Sequence, residues 1–195
     1  MKDVTIIIPA AGASSRMGGR DKLLEEVEGV PLLRRQVLRA AETGCEVIVA
    51  LPPGGRARLA ALAGLDVRGL SVRDAEEGMA ASLRAGEAAA APGNALMILL
   101  PDMPDLTTED LDTLLRAQAV TPGRVFRGSG SGGVPGHPVI LPARLRARVG
   151  TLSGDAGARS VIAGEDVGLV PLPGRHALTD LDTPEAWATW RAAHE

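Results

Sequence analysis

The chain has 195 residues, a mass of 20.1 kDa and a net charge of −3, with 45% apolar and 23% charged residues. That is chain enough for one domain with an ordinary buried core, and the slight acidity excludes a nucleic-acid binder built on a broad basic face. No apolar run approaches the ~20 residues of a membrane span. The single cysteine, Cys45, excludes a disulfide framework and a cysteine-rich zinc site.

Residues 4–9 (VTIIIP) read as a buried strand, and the run through residue 11 lacks the basic leader of a signal peptide, so a cytoplasmic location is expected. Residues 32–43 place Leu33, Val37 and Ala40 or Ala41 on one helical face. Residues 46–51 (EVIVAL) form a second strand, with Cys45 at its start. A short helix over 56–63 and a short strand over 69–72 follow, then an alanine-rich helix over 79–91 that Pro92-Gly93 ends. Residues 95–100 (ALMILL) are the third strand. Thr107 then caps a helix to about residue 119, with Glu109 and Asp110 in its first turn. This alternation predicts a mostly parallel sheet with helices on both faces.

Beyond residue 120 the pattern changes. Short strands are predicted at 124–126, 138–141 and 167–170, with helices at 143–149 and 155–163. Thr183 and Pro184 begin the last helix. The glycine-rich segment 128–136 (GSGSGGVPG) reads as a mobile loop at a site.

Five stretches carry candidate chemistry. The turn after the first strand, residues 10–22 (AAGASSRMGGRDK), combines small residues, Ser14 and Ser15 with Arg16, Arg20 and Lys22. Ligands of open parallel sheets bind beyond the carboxyl ends of the strands, and small residues there let backbone N–H groups approach phosphate. The chain has 19 arginines but only two lysines, Lys2 and Lys22, which makes an internal lysine notable. Within this turn neither the Gly-x4-Gly-Lys-Ser/Thr nor the Gly-x-Gly-x-x-Gly pattern is present. The competing reading is a glycine-rich loop with solvated charges. Asp102, held between Pro101 and Pro104 at the end of the third strand, suits a Mg²⁺ ligand or, alternatively, a local turn. His137 in GHP and Asp155 in GDAGAR read first as a loop histidine and a helix cap. Asp180 and Asp182 alternate, so an extended segment puts both on one face, which allows a second metal ligand. Taken alone, capping of the last helix by Asp182 or Thr183 is the simpler reading.

Together these stretches resemble the MobA-like nucleotidyltransferases, most of all the molybdenum cofactor cytidylyltransferase (MocA-like) branch. The resemblance rests on residues 10–22, 78–86 (GMAASLRAG), 100–104 (LPDMP), 136–138 (GHP), 154–159 (GDAGAR) and 180–185 (DLDTPE), and covers residues 4 to about 190. It implies one domain over residues 1–195 with a Rossmann-like, three-layer αβα fold and a mostly parallel mixed sheet. It also implies Mg²⁺ dependence and transfer of CMP from CTP to molybdopterin, with release of pyrophosphate.

By the same resemblance, Ala10, Ala11, Gly12, Ala13, Ser14, Ser15, Arg16, Lys22, Gly78 and Ser82 bind the nucleotide. Arg16, Lys22 and Asp102 are catalytic, Asp102 and Asp182 hold the metal, and His137, Asp155 and Arg159 meet the pterin. CTP, or another NTP, and a molybdopterin-type cofactor are the implied partners, with transient contact to a recipient molybdoenzyme. Neither nucleic acid nor membrane is expected. The guanylyltransferase branch has Ala-Gly-Gly where this chain has Ala10-Ala11-Gly12, which favours cytidine. Alanines at 80 and 81 replace serines frequent in the family. The alternatives are a guanylyltransferase or another NTP:phosphate nucleotidyltransferase of this fold, and, from a different class, a non-catalytic molybdenum cofactor carrier.

Overall fold

Ile6, Ile7 and Ile8 in the first strand, β1 (Val4–Pro9), are all fully buried, so this strand is covered on both faces. The computed structural model describes residues 3–194. After β1 come β2 (Glu26–Val27), β3 (Val30–Pro31), α1 (Leu32–Glu42), β4 (Glu46–Leu51), α2 (Arg56–Ala61), β5 (Arg68–Ser71), α3 (Met79–Ala89), β6 (Ala95–Ile98) and α4 (Thr108–Val120). Then follow β7 (Val125–Ser129), β8 (Pro135–Leu141), α5 (Arg146–Gly150), α6 (Ala158–Val161), β9 (Val167–Pro171) and α7 (Pro184–Ala192).

Seven strands form one sheet in the order β5-β4-β1-β6-β8-β7-β9. Every pairing is parallel except those of β8, which runs against both β6 and β7. The fold is therefore the expected mostly parallel mixed sheet. Alternation along β1 divides the core. Ile6 and Ile8 pack with Leu33 and Val37 of α1 and Leu111 and Leu114 of α4. Ile7 packs with Leu83 of α3 and Val149 of α5. Helices thus cover both faces, giving three layers.

The caps follow the residue chemistry. Thr107 accepts from the Asp110 N–H while the Asp110 side chain accepts from the Thr107 N–H, a reciprocal capping box. Thr183 caps α7 by accepting from the Ala186 N–H, and Pro184 stands in its first turn.

Three segments differ from expectation. Residues 128–136 are not one long loop: they are the end of β7, a tight turn and the start of β8. Gly128 and Gly136 are buried where backbone crosses closely, because an added Cβ would collide with the His137 and Ala177 carbonyl oxygens respectively. These two glycines serve packing, whereas Gly132 and Gly133, at positive φ in open space, make the turn. A small hairpin, β2–β3, turns through Glu28 and Gly29, both at positive φ, and was not anticipated. The helix expected over 155–163 is shortened to α6, with Asp155 in the preceding turn.

Candidate active site

The first loop leaves β1 at its carboxyl end, and Asp102 follows β6, its neighbour in the sheet. Parallel neighbours put both at one sheet edge. There they open a cavity of about 520 Å³. Gly12, Ala13, Ser14, Ser15, Arg16 and Lys22 line it from the first loop, and Gly78 and Ser82 from the start of α3. Asp102, Asp155 and Asp182 complete the wall.

Ala10 and Ala11 lie behind this surface, at 0% and 5% exposure. The Ala10 N–H donates to Ala50 and its carbonyl accepts from Arg58, so both of its backbone groups are committed within the protein. The expectation that Ala10 offers its backbone to the nucleotide does not fit this arrangement.

Lys22 is central. Its ammonium donates to Asp102 Oδ2 at 2.5 Å and also to Asp182 Oδ1. Burial opposes its charge, but Asp102 and Asp182 outweigh burial and raise its pKa above the ordinary lysine value. For Asp182, burial pushes upward, yet Lys22 and the charge of Arg16 outweigh it and lower the pKa. Arg16 Nη1 reaches Asp182 at 3.0 Å from a largely exposed position. Asp180 is exposed and does not line the cavity. Partial desolvation and the charges of Asp102 and Asp182 raise its pKa. Between the two aspartates, Leu181 is buried with Met17, Leu32 and Trp187, and its N–H donates to the Asp102 carbonyl. That anchor places the late aspartates beside the end of β6.

The opposite wall is tied by Glu77. It pairs with Arg84 at 2.6 Å and accepts from the Gly154 N–H. The Arg84 hydrogen bond, helped by Gly154, lowers its pKa to about 2. Ala80 in the first turn of α3 donates to the Gly154 carbonyl. Asp155 is thereby held against Gly78, and both line the cavity.

His137 and Arg159 do not line this cavity. His137 is half-buried on β8, and its Nδ1 is a buried atom with no hydrogen-bond partner among the described residues. Burial, with the nearby charge of Arg127, lowers its pKa to about 4, so the ring is neutral at pH 7. Arg127 itself is pushed down by burial and by the charge of Arg159. Sequence reasoning missed Arg127, which lies in a strand with no motif around it.

Residues 6–170 match the family described as the MobA-like NTP transferase domain. The chain belongs to this family. Nicotine blue oxidoreductase of Paenarthrobacter nicotinovorans is 35% identical over 197 residues, covering 93% of each chain. Among solved structures, Rv0371c of Mycobacterium tuberculosis H37Rv superposes with a TM-score of 0.84 at 22% identity, over 97% of this chain and 98% of that one. The same protein has also been solved as a complex with manganese, at a TM-score of 0.77 and 21% identity over 95% and 96% of the two chains. CMP:2-keto-3-deoxy-manno-octonic acid synthetase complexed with CTP gives 0.76 at 17% identity over 98% of each chain. These structural likenesses show the fold of the MobA-like domain. Among the described residues, no helix is long and apolar enough to cross a membrane.

Proposed function

We propose that this chain transfers CMP from CTP to the phosphate of a molybdopterin-type acceptor and releases pyrophosphate. The observation that carries the reading is the convergence of Lys22, Arg16, Asp102 and Asp182 at the mouth of a cavity walled by the first loop. The family supports NTP chemistry. Ala10-Ala11-Gly12 and the 78–86 stretch support cytidine, as does the likeness to a fold solved with CTP.

The acceptor phosphate is ionised near pH 7, so the reaction requires no general base. That agrees with the placement of His137, half-buried and outside the cavity. The work left to the protein is positioning and neutralisation of charge. The first loop holds the triphosphate. Lys22, kept protonated by its carboxylate neighbours, and Arg16 supply positive charge for the in-line transition state and departing pyrophosphate.

Asp102 Oδ1 is buried and has no hydrogen-bond partner among the described residues, an acceptor that fits a cation. Asp102 and Asp182 would hold Mg²⁺, which when bound supplies further neutralisation of the triphosphate. Among the described residues no three of His, Cys, Asp and Glu converge as a ready metal cage. A Mg²⁺ held by two carboxylates completes its shell with water and substrate oxygens.

Thermal unfolding with Mg²⁺ and each of CTP, GTP, ATP and UTP tests the assignment. Ligand at about 100 times its Kd adds about 2.7 kcal/mol, a shift of roughly 5–10 °C for a domain of this size. CTP is expected to give the largest shift. A larger shift with GTP transfers the reading to guanylyl transfer. No shift with any nucleotide contradicts it.

The relative named nicotine blue oxidoreductase favours a second reading, in which the cavity holds a redox cofactor instead of an NTP. The absence of Gly-x-Gly-x-x-Gly from the first loop weighs against a dinucleotide bound in the usual way. Oxidation of a reduced nicotinamide cofactor coupled to reduction of an added dye as electron acceptor, without pyrophosphate release, would establish it.

A further inference from the structure

We infer that Arg58 is a positioning residue for the nucleotide loop, acting from a helix that carries none of the family's motifs. This rests on the reading of residues 10–22 as the nucleotide loop.

Arg58 is the one buried residue of α2 and is 5% exposed. A surface helix ordinarily anchors itself through an apolar stripe. Here Leu62 at the C-cap reaches the core, but the buried side chain within the helix is a guanidinium, and it is directed at the first loop. Nη1 donates to the Ala10 carbonyl at 2.7 Å. Nε and Nη2 make a two-pronged contact with the Asp21 carboxylate at 2.7 and 2.9 Å. Nη2 also reaches Ser14 Oγ at 3.3 Å. One side chain therefore ties the beginning, the middle and the end of a loop in which Gly12, Ala13, Ser15 and Arg16 are exposed and Met17 packs into a small core with Leu32 and Leu181.

Each tie has a consequence for a site that receives phosphate. A trans peptide directs its N–H opposite its C=O, so fixing the Ala10 carbonyl on the guanidinium turns the Ala11 N–H the other way. It also removes one carbonyl oxygen that would repel a phosphate. Ser14 stands at φ 51, a conformation unusual for a residue with a side chain, and Arg58 and Asp21 both hold its hydroxyl. Asp21 immediately precedes Lys22 and also accepts from the Leu23 N–H. The Asp21–Arg58 contact thus sets the point from which Lys22 projects toward Asp102. Arg58 does not line the cavity. It sets the shape of the residues that do.

The test uses R58M, R58K and D21N in the full-length protein, with CTP and Mg²⁺ as the probe. R58M is expected to weaken CTP binding roughly tenfold or more while circular dichroism shows the sheet intact. R58K, which supplies one point charge in place of a planar fork, is expected to recover only part of the loss. In the protein without nucleotide, amide hydrogen exchange over residues 10–21 is expected to accelerate in R58M while that of β4 and α1 stays unchanged. D21N loosens the same contact from its more exposed end and decides the matter should R58M fail to fold. CTP affinity within about twofold of wild type in R58M, or in D21N where R58M does not fold, overturns the inference, as does unchanged exchange in the loop. If wild type binds no NTP, the nucleotide reading fails, and the exchange measurement still decides whether Arg58 shapes the loop.

Discussion

The ammonium of Lys22 lies 2.5 Å from Asp102 Oδ2 and donates as well to Asp182, so one cation from the first loop bridges a carboxylate from the middle of the sequence and one from near its end. The Lys22 and Asp102 side chains are 18% and 13% exposed, so the contact is largely shielded from water. Replacing Lys22 by Met or Asp102 by Ala is expected to lower turnover by about a hundredfold or more, the scale of losing one preorganised charge at a transition state. Circular dichroism of both variants is expected to match wild type. Near-normal turnover in either would remove these residues from the chemistry.

The same bridge makes Lys22 a competitor of any divalent cation for the oxygens of Asp102 and Asp182. Mn²⁺ alone, followed by electron paramagnetic resonance, is expected to bind K22M more tightly than wild type and D102A more weakly. Equal Mn²⁺ affinity in wild type and D102A would place the cation elsewhere.

His137 makes the stability pH-dependent on the acid side. Its folded pKa of about 4 lies below its ordinary value of 6.5, because burial and the Arg127 charge disfavour the imidazolium. As pH falls, the unfolded chain takes up the proton first. The contribution of this residue is therefore full above pH 6.5 and lost as pH falls toward 4, about 3 kcal/mol in all. Urea unfolding of H137Q is expected to show a flatter acid limb than wild type over that window. Parallel limbs would show that His137 titrates normally.

Gly78 sits at φ 107, where a Cβ would collide with the Asp155 carboxylate and come within 3.0 Å of the Gly154 carbonyl. G78A is expected to lose roughly 1–3 kcal/mol of stability, from backbone strain and the displaced contact. It is also expected to weaken CTP binding, because Gly78 and Asp155 share the cavity wall. Unchanged urea midpoints and CTP affinity would contradict both.

Much of this arrangement was legible before folding. Uninterrupted apolar runs such as Ile6 to Ile8 announce strands buried on both faces, and a parallel sheet leaves only one edge for a ligand. The scarcity of lysine singled out Lys22, but not its partners. Asp182 lies 160 residues away, and the burial of Leu181 with its hydrogen bond to the Asp102 carbonyl brings it in. Arg58 left no signal, because one arginine among 19 in a short helix looks like any solvated charge. The segment 128–136 misled for a physical reason. Glycine serves both mobile loops and tight crossings of backbone, and composition does not separate the two.

Nucleotidyl transfer at Lys22 and Asp102 is tested most directly by pyrophosphate release. Purified protein, Mg²⁺ and a molybdopterin-type acceptor are combined with each NTP in turn. The expected result is one pyrophosphate per acceptor consumed, fastest with CTP, dependent on the acceptor and abolished in K22M and D102A. Absence of pyrophosphate with all four nucleotides, while the wild-type protein transfers electrons from a reduced nicotinamide cofactor to an added dye acceptor, would contradict it.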